Sequence, residues 1–209
     1  MESFKYIKLL EEIYRAYDFF NNYFYQGELN RPVIMISSKG GRSAYGWFGA
    51  RFWKEGDQEF SEINLSAEHM SRSCDEILET LLHEMAHLKN AQNEIHDCSD
   101  NQYHNKNFKI AAEFFGLEVE RRKGYGWATT KLGGKARQAI EGLNPDKELY
   151  GLYKMEAPKK TYDRYIPLIV DNIEENEKVL EKGALCFRSK KEFVEVAIHE
   201  YYRRFLIES

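Results

Sequence analysis

The sequence predicts an α+β fold: an N-terminal helix, a small antiparallel sheet, a helix carrying HExxH and a following helix, plus a helical C-terminal extension. Three observations predict it. Apolar residues recur at three- and four-residue steps over 5–25 and again over 73–92, the period of an amphipathic helix. Short apolar and aromatic runs between residues 33 and 66 are bounded by Gly, Pro and Asp, as strands are. The chain has 209 residues, which suggests one domain, or one with a small appendage.

In chain order, Leu9, Leu10, Ile13, Tyr14, Tyr17, Phe20 and Phe24 form one stripe of the first helix, and Gly27 closes it. Pro32 opens the strand Val33-Ile34-Met35-Ile36, and Gly40-Gly41 makes a turn. Residues 44–53 and 62–66 read as two further strands. Ser73 with Glu76 is a capping box that starts a helix to about Gln92. Residues 93–102 are polar loop. A helix from about Asn105 shares Phe108, Ala111, Ala112 and Phe115 on one face, and Gly116 stops it. Asn144-Pro145-Asp146 and Ala157-Pro158 punctuate a linker. Residues 168–182 and 189–207 read as two more helices.

Composition excludes several classes. Hydrophobic residues are 43%, charged residues 31% and aromatics 14%, which is globular rather than disordered or coiled-coil. No apolar run approaches the ~18 residues of a membrane span, and the charged start is not expected to be a signal peptide. Cys74, Cys98 and Cys186 are scattered and form no CxxC, so a cysteine zinc ribbon is excluded and a reduced, cytoplasmic chain is expected. The net charge of −4 carries no whole-chain footprint for nucleic acid. The excess of cations falls in residues 102–160.

The stretch with chemical content is His83-Glu84-Met85-Ala86-His87. Two histidines four apart on a helix stand about 40° apart around the axis and about 6 Å apart along it. Both can reach one zinc at about 2.0–2.1 Å per bond. Zinc lowers the pKa of a water, and Glu84 can take its proton as it attacks a carbonyl. At this His and Glu content the motif arises by chance roughly 2% of the time. On a helical wheel with Leu81 at 0°, His83 and His87 fall near ~200° and ~240°, opposite the stripe of Ile77, Leu78, Leu81, Leu82, Met85 and Leu88. That placement suits a cleft better than a core. A third ligand comes from downstream, where His96 and His104 are candidates with Asp97 and Asp100 as oxygen alternatives. His104 is favoured, since Phe108 can anchor it at a helix start. His69, His96 and His199 read as ordinary surface histidines.

HEMAH at 83–87 followed by HxxxF at 104–108 resembles the SprT-like family of zinc metallopeptidases. Residues 17–29, ending Tyr25-Gln26-Gly27-Glu28-Leu29, are similar to that family's first helix and its exit. Ile63-Asn64-Leu65-Ser66 is similar to its strand before the active-site helix. The resemblance spans residues 5 to about 120. It implies zinc held by His83, His87 and His104, Glu84 as general base, and a protein or peptide substrate, in better-known members one crosslinked to or tightly bound on DNA. Two departures stand out: Asn105 replaces the Gly that often follows the third histidine, and the cysteine ribbon of many relatives is missing.

The expected domains are therefore a SprT-like zinc metallopeptidase domain over 1–120, a basic and aromatic segment with linker over 121–160, and a helical extension over 161–209. Arg121, Arg122, Lys123, Tyr125 and Trp127 are candidate nucleic-acid contacts, weighed against a solvated basic loop. The extension weakly resembles ribbon-helix-helix proteins and is a candidate homodimer element, weighed against a helical hairpin packed on the protease. Strand 63–66 is a candidate edge for an extended substrate. Two other readings stay open: a regulatory metalloprotease that cuts one repressor, and a DNA-binding or dimerising module with a structural zinc site. No membrane partner is expected.

Overall fold

A computed structural model describes residues 4–38 and 44–155. The turn at 40–41, the two C-terminal helices, Cys186, His199 and the ribbon-helix-helix resemblance lie outside the described residues.

Helix α1 runs Lys5–Tyr25. Of the stripe the periodicity predicts, Leu9, Ile13, Tyr17 and Phe20 are fully buried, joined by Ala16, while Leu10, Tyr14 and Phe24 are half-buried against the core. Gln26 at φ 56° and Gly27 at φ 79° are both left-handed, so the helix ends one residue before the expected Gly27, which continues the turn. Buried Asn21 then holds the exit: its amide donates to Leu29 O at 3.1 Å and its Oδ1 accepts from Leu29 N at 3.0 Å. Tyrosines tie α1 to the sheet. Ile34 N donates to Tyr14 Oη at 2.8 Å, and Tyr17 Oη donates to Asn30 O at 2.8 Å.

Strands β1 (Val33–Ser37), β2 (Gly46–Glu55) and β3 (Gln58–Ser66) form a sheet of order β1-β3-β2. The sheet is mixed, not antiparallel as expected. β2 and β3 are an antiparallel hairpin, but β1 pairs parallel with β3, Val33 opposite Glu62 through Ser37 opposite Ser66. Parallel neighbours cannot be joined by a tight hairpin and need a longer crossover, and here β2 lies within the connection from β1 to β3. β3 is therefore central, so residues 63–66 are not an edge open to substrate. Among the described residues β2 is an edge strand of this sheet, and its register shifts between Gly49 and Trp53.

Helix α2 (Cys74–Gln92) starts on the expected capping box: Glu76 N donates to Ser73 Oγ and Ser73 N to the Glu76 carboxylate, at 3.3 and 2.9 Å. It is buried nearly all round. One side presents Ile77, Leu78, Leu81, Leu82 and Met85 to the core; Thr80, Glu84, His87 and Asn90 are buried too. The polar face is thus covered rather than solvated. Helix α3 (Lys106–Phe114) covers part of it, with Phe108, Ala111 and Ala112 inward. Asn105 is extended, at φ −88°, and caps α3 by accepting from Asn107 N and Phe108 N, so the residue standing in place of the usual Gly serves as the helix cap.

Residues 117–143, which pattern alone left without defined elements past 120, form the hairpin β4 (Leu117–Arg122) and β5 (Gly126–Leu132), then α4 (Gly134–Leu143). Among the described residues, no helix is long and apolar enough to cross a membrane.

Candidate metal centre

α2 places His83 and His87 on adjacent turns, with ring centroids 5.3 Å apart. His104 joins them from the far side, at 5.3 Å from His83 and 5.0 Å from His87. One ring nitrogen from each of the three lies within 4.8 Å of the other two. The ring of Phe108 stands behind all three, at 4.5–4.6 Å.

His104 is not held by its own helix. It acts as a one-residue strand between the preceding loop and β5: its N–H donates to Tyr125 O at 2.9 Å, and Trp127 N–H donates to His104 O at 2.9 Å. Cys98 bridges it from the other side. Gly126, at φ 68°, lies against this backbone, and a Cβ there would overlap His104 O.

Each histidine is also tied through its δ-nitrogen. His87 Nδ1 is 2.9 Å from Asp97 Oδ2, His83 Nδ1 is 3.3 Å from Thr130 Oγ1, and His104 Nδ1 is 3.0 Å from Gln102 O. Carbonyl and carboxylate oxygens only accept, so at His87 and His104 the δ-nitrogen carries the proton and the ε-nitrogen keeps its lone pair. His87 Nε2 and His104 Nε2 stand 3.2 Å apart. Two ligands of a tetrahedral zinc at about 2.0–2.1 Å stand about 3.3 Å apart, so this pair fits that ion. Asn90 donates to the same Asp97 oxygen at 2.9 Å, which fixes the carboxylate. Such partners orient ligands: Asp97→Ala is expected to weaken zinc binding by about 10–100-fold, checked by competition with a chromophoric chelator.

Burial, and secondarily the neighbouring histidines, hold His83 well below its ordinary pKa; burial and His87 lower His104 to about 4. Neutral imidazoles are the ligand form. For His104 the folded pKa lies below the ordinary 6.5, so the unfolded chain binds more protons between pH ~6.5 and ~4. Stability of the metal-free protein is therefore complete above that window and lost as pH falls through it. The loss from His104 is on the order of 3 kcal/mol, at ~1.4 kcal/mol per tenfold change in proton affinity. An imidazole proton NMR titration is expected to give His104 a midpoint near pH 4; an ordinary midpoint near 6.5 contradicts this.

Glu84 is 4% exposed. The start of β2 closes over it: a Cβ on Gly46 would stand 2.9 Å from Glu84 Oε1 and 2.8 Å from Thr80 Cγ2. The other candidates lie elsewhere. His96 is exposed, and its carbonyl accepts from the side chains of Asn105 and Asn107. Asp100 is exposed and is not in the histidine cluster. Asp97 stands behind His87 rather than in the ligand set. Thr130 and Gly126 carry no local signal, since they meet the histidines only through the fold, and Glu79 reaches His83 only by way of Thr130.

The basic segment is the end of β4 and the β4–β5 turn. Arg121, Arg122, Lys123 and Tyr125 are exposed there. Its aromatics already have cations over them: the Arg122 guanidinium is 4.9 Å from the Tyr125 ring, and Lys109 Nζ is 4.5 Å from the Trp127 ring.

The SprT-like family matches residues 13–123, more than half of the chain. The chain belongs to the SprT-like family. The SprT-like match runs from within α1 to just past β4, so it takes in HExxH and His104 and ends before β5. The family is consistent with a metallopeptidase-type fold, and the three histidines are able to hold a metal ion. Comparison with curated proteins and with solved structures gave no match.

Proposed function

We propose that this SprT-like chain is a zinc-dependent endopeptidase, with His83, His87 and His104 as metal ligands and Glu84 as general base. The observation that carries the reading is the meeting of three imidazoles beside a buried carboxylate. Three protein nitrogens leave a coordination position open, the arrangement of a catalytic rather than a structural zinc. Zinc held by these three histidines would supply Lewis-acid chemistry, lowering the pKa of a water and polarising a carbonyl. Glu84, next to His83 on α2, takes the proton of the attacking water and returns it to the leaving amine. Asp97 and Gln102 hold two of the rings in the tautomer that ligates.

An extended substrate pairs with the free edge of β2, which begins over Glu84. Phe48 of β2 stacks on His87 at 6.2 Å, which places this strand beside the histidines. The substrate class we put forward is protein held on DNA. What supports it is the adjoining basic turn, where Arg121, Arg122 and Lys123 are exposed and Tyr125 O binds the backbone of His104.

The test is a gel assay of wild type and Glu84→Gln against themselves and a DNA-binding protein, with and without single-stranded DNA. Cleavage by wild type alone, raised by DNA, supports both parts. Cleavage of one narrow substrate without DNA dependence removes the DNA part and favours a regulatory protease. Zinc bound with no cleavage in any lane overturns the peptidase reading.

A further inference from the structure

His83 differs from the other two histidines in its outer partner. Its δ-nitrogen meets neither a carboxylate nor a carbonyl but the hydroxyl of Thr130, at 3.3 Å. A hydroxyl both donates and accepts, so by itself it cannot fix a tautomer. Here it is not by itself. Thr130 Oγ1 donates its one proton to Glu79 Oε1 at 3.0 Å. With that proton committed, the hydroxyl can only accept from His83. Glu79 sits on α2 one turn before His83, and Thr130 sits on β5, beyond the end of the family match at residue 123.

We propose that Thr130, oriented by Glu79, is a positioning residue that keeps the proton of His83 on Nδ1 and its Nε2 lone pair toward the metal. The inference rests on the metal-centre reading above. Without Glu79 the hydroxyl is free to turn and donate to Nδ1, which moves the imidazole proton to Nε2 and blocks the ligand. β5 therefore supplies two parts of the centre: Gly126 and its neighbours clamp His104, and Thr130 sets His83.

The experiment is long-range nitrogen–proton NMR of the histidines in the metal-free full-length protein, with zinc affinity measured on the same samples. Wild type, Thr130→Val, Thr130→Ser and Glu79→Leu are compared. Wild type is expected to show His83 protonated on Nδ1. Thr130→Val and Glu79→Leu are expected to shift it toward Nε2 and to weaken zinc by about 10–100-fold. Thr130→Ser keeps the hydroxyl and is expected to stay within about threefold of wild type. A role in packing alone predicts the opposite order, since Val keeps the volume and β-branching that Ser loses. Thr130→Val with an unshifted His83 and wild-type affinity, or Ser worse than Val, overturns this inference and leaves the metal centre standing. A wild type that binds no zinc overturns both.

Discussion

Glu84→Gln is expected to slow peptide hydrolysis by about 10²–10⁴-fold while leaving bound zinc and thermal stability near wild type. A positioned proton acceptor contributes about that much to a transition state. Glutamine matches the shape of Glu84 and still hydrogen-bonds, but it accepts no proton from water. The carboxylate stands outside the three-histidine set, so the metal has no reason to leave. Glu84 is buried, and the start of β2 lies against it, so a larger or apolar replacement disturbs packing as well. The glutamine variant separates the two effects. Single-turnover cleavage read beside zinc content checks the expectation. Loss of zinc in step with loss of activity contradicts the assigned role.

The second large effect is expected from a residue with no chemistry. Gly126→Ala puts a Cβ into the carbonyl of His104 and asks alanine to hold φ 68°. The backbone conformation alone costs roughly 1–2 kcal/mol for a residue with a Cβ. The overlap then forces β5 and His104 apart, breaking the hydrogen bonds on either side of Gly126. The expected result is a lower melting temperature and a loss of zinc affinity beyond the ~100-fold ceiling usual for outer partners. Gly124 is the control. It also has positive φ, at 82°, but an added Cβ there meets nothing within 4 Å. Gly124→Ala is expected to cost stability of similar backbone origin and to keep zinc. Equal zinc affinity in both variants contradicts the clamp.

What could be seen in the sequence was local. α1, α2 and α3 follow from apolar spacing and from caps written within four residues, such as Ser73 with Glu76. The two histidines of HExxH come together because one helix carries both, and His104 joins them as the placement before Phe108 suggested. What could not be seen was pairing at a distance. No local pattern tells β3 that β1 joins it in parallel, and this made a central strand look like an edge. The α2 polar face looked open because the wheel shows one helix without its neighbours; α3 and the β4–β5 hairpin close it. Asp97, Thr130 and Gly126 were invisible as partners for the same reason. Each reaches its histidine across 10, 47 or 22 residues of sequence, through contacts that exist only in the fold.

His83, His87 and His104 are expected to hold a catalytic zinc. X-ray absorption at the zinc edge, on full-length protein loaded with one equivalent, tests it most directly. Three imidazole nitrogens are expected at about 2.0–2.1 Å with one or two light oxygen scatterers completing the shell, and one imidazole is expected to be lost in His104→Ala. A shell with fewer than three imidazoles in wild type, or one unchanged by His104→Ala, would contradict it.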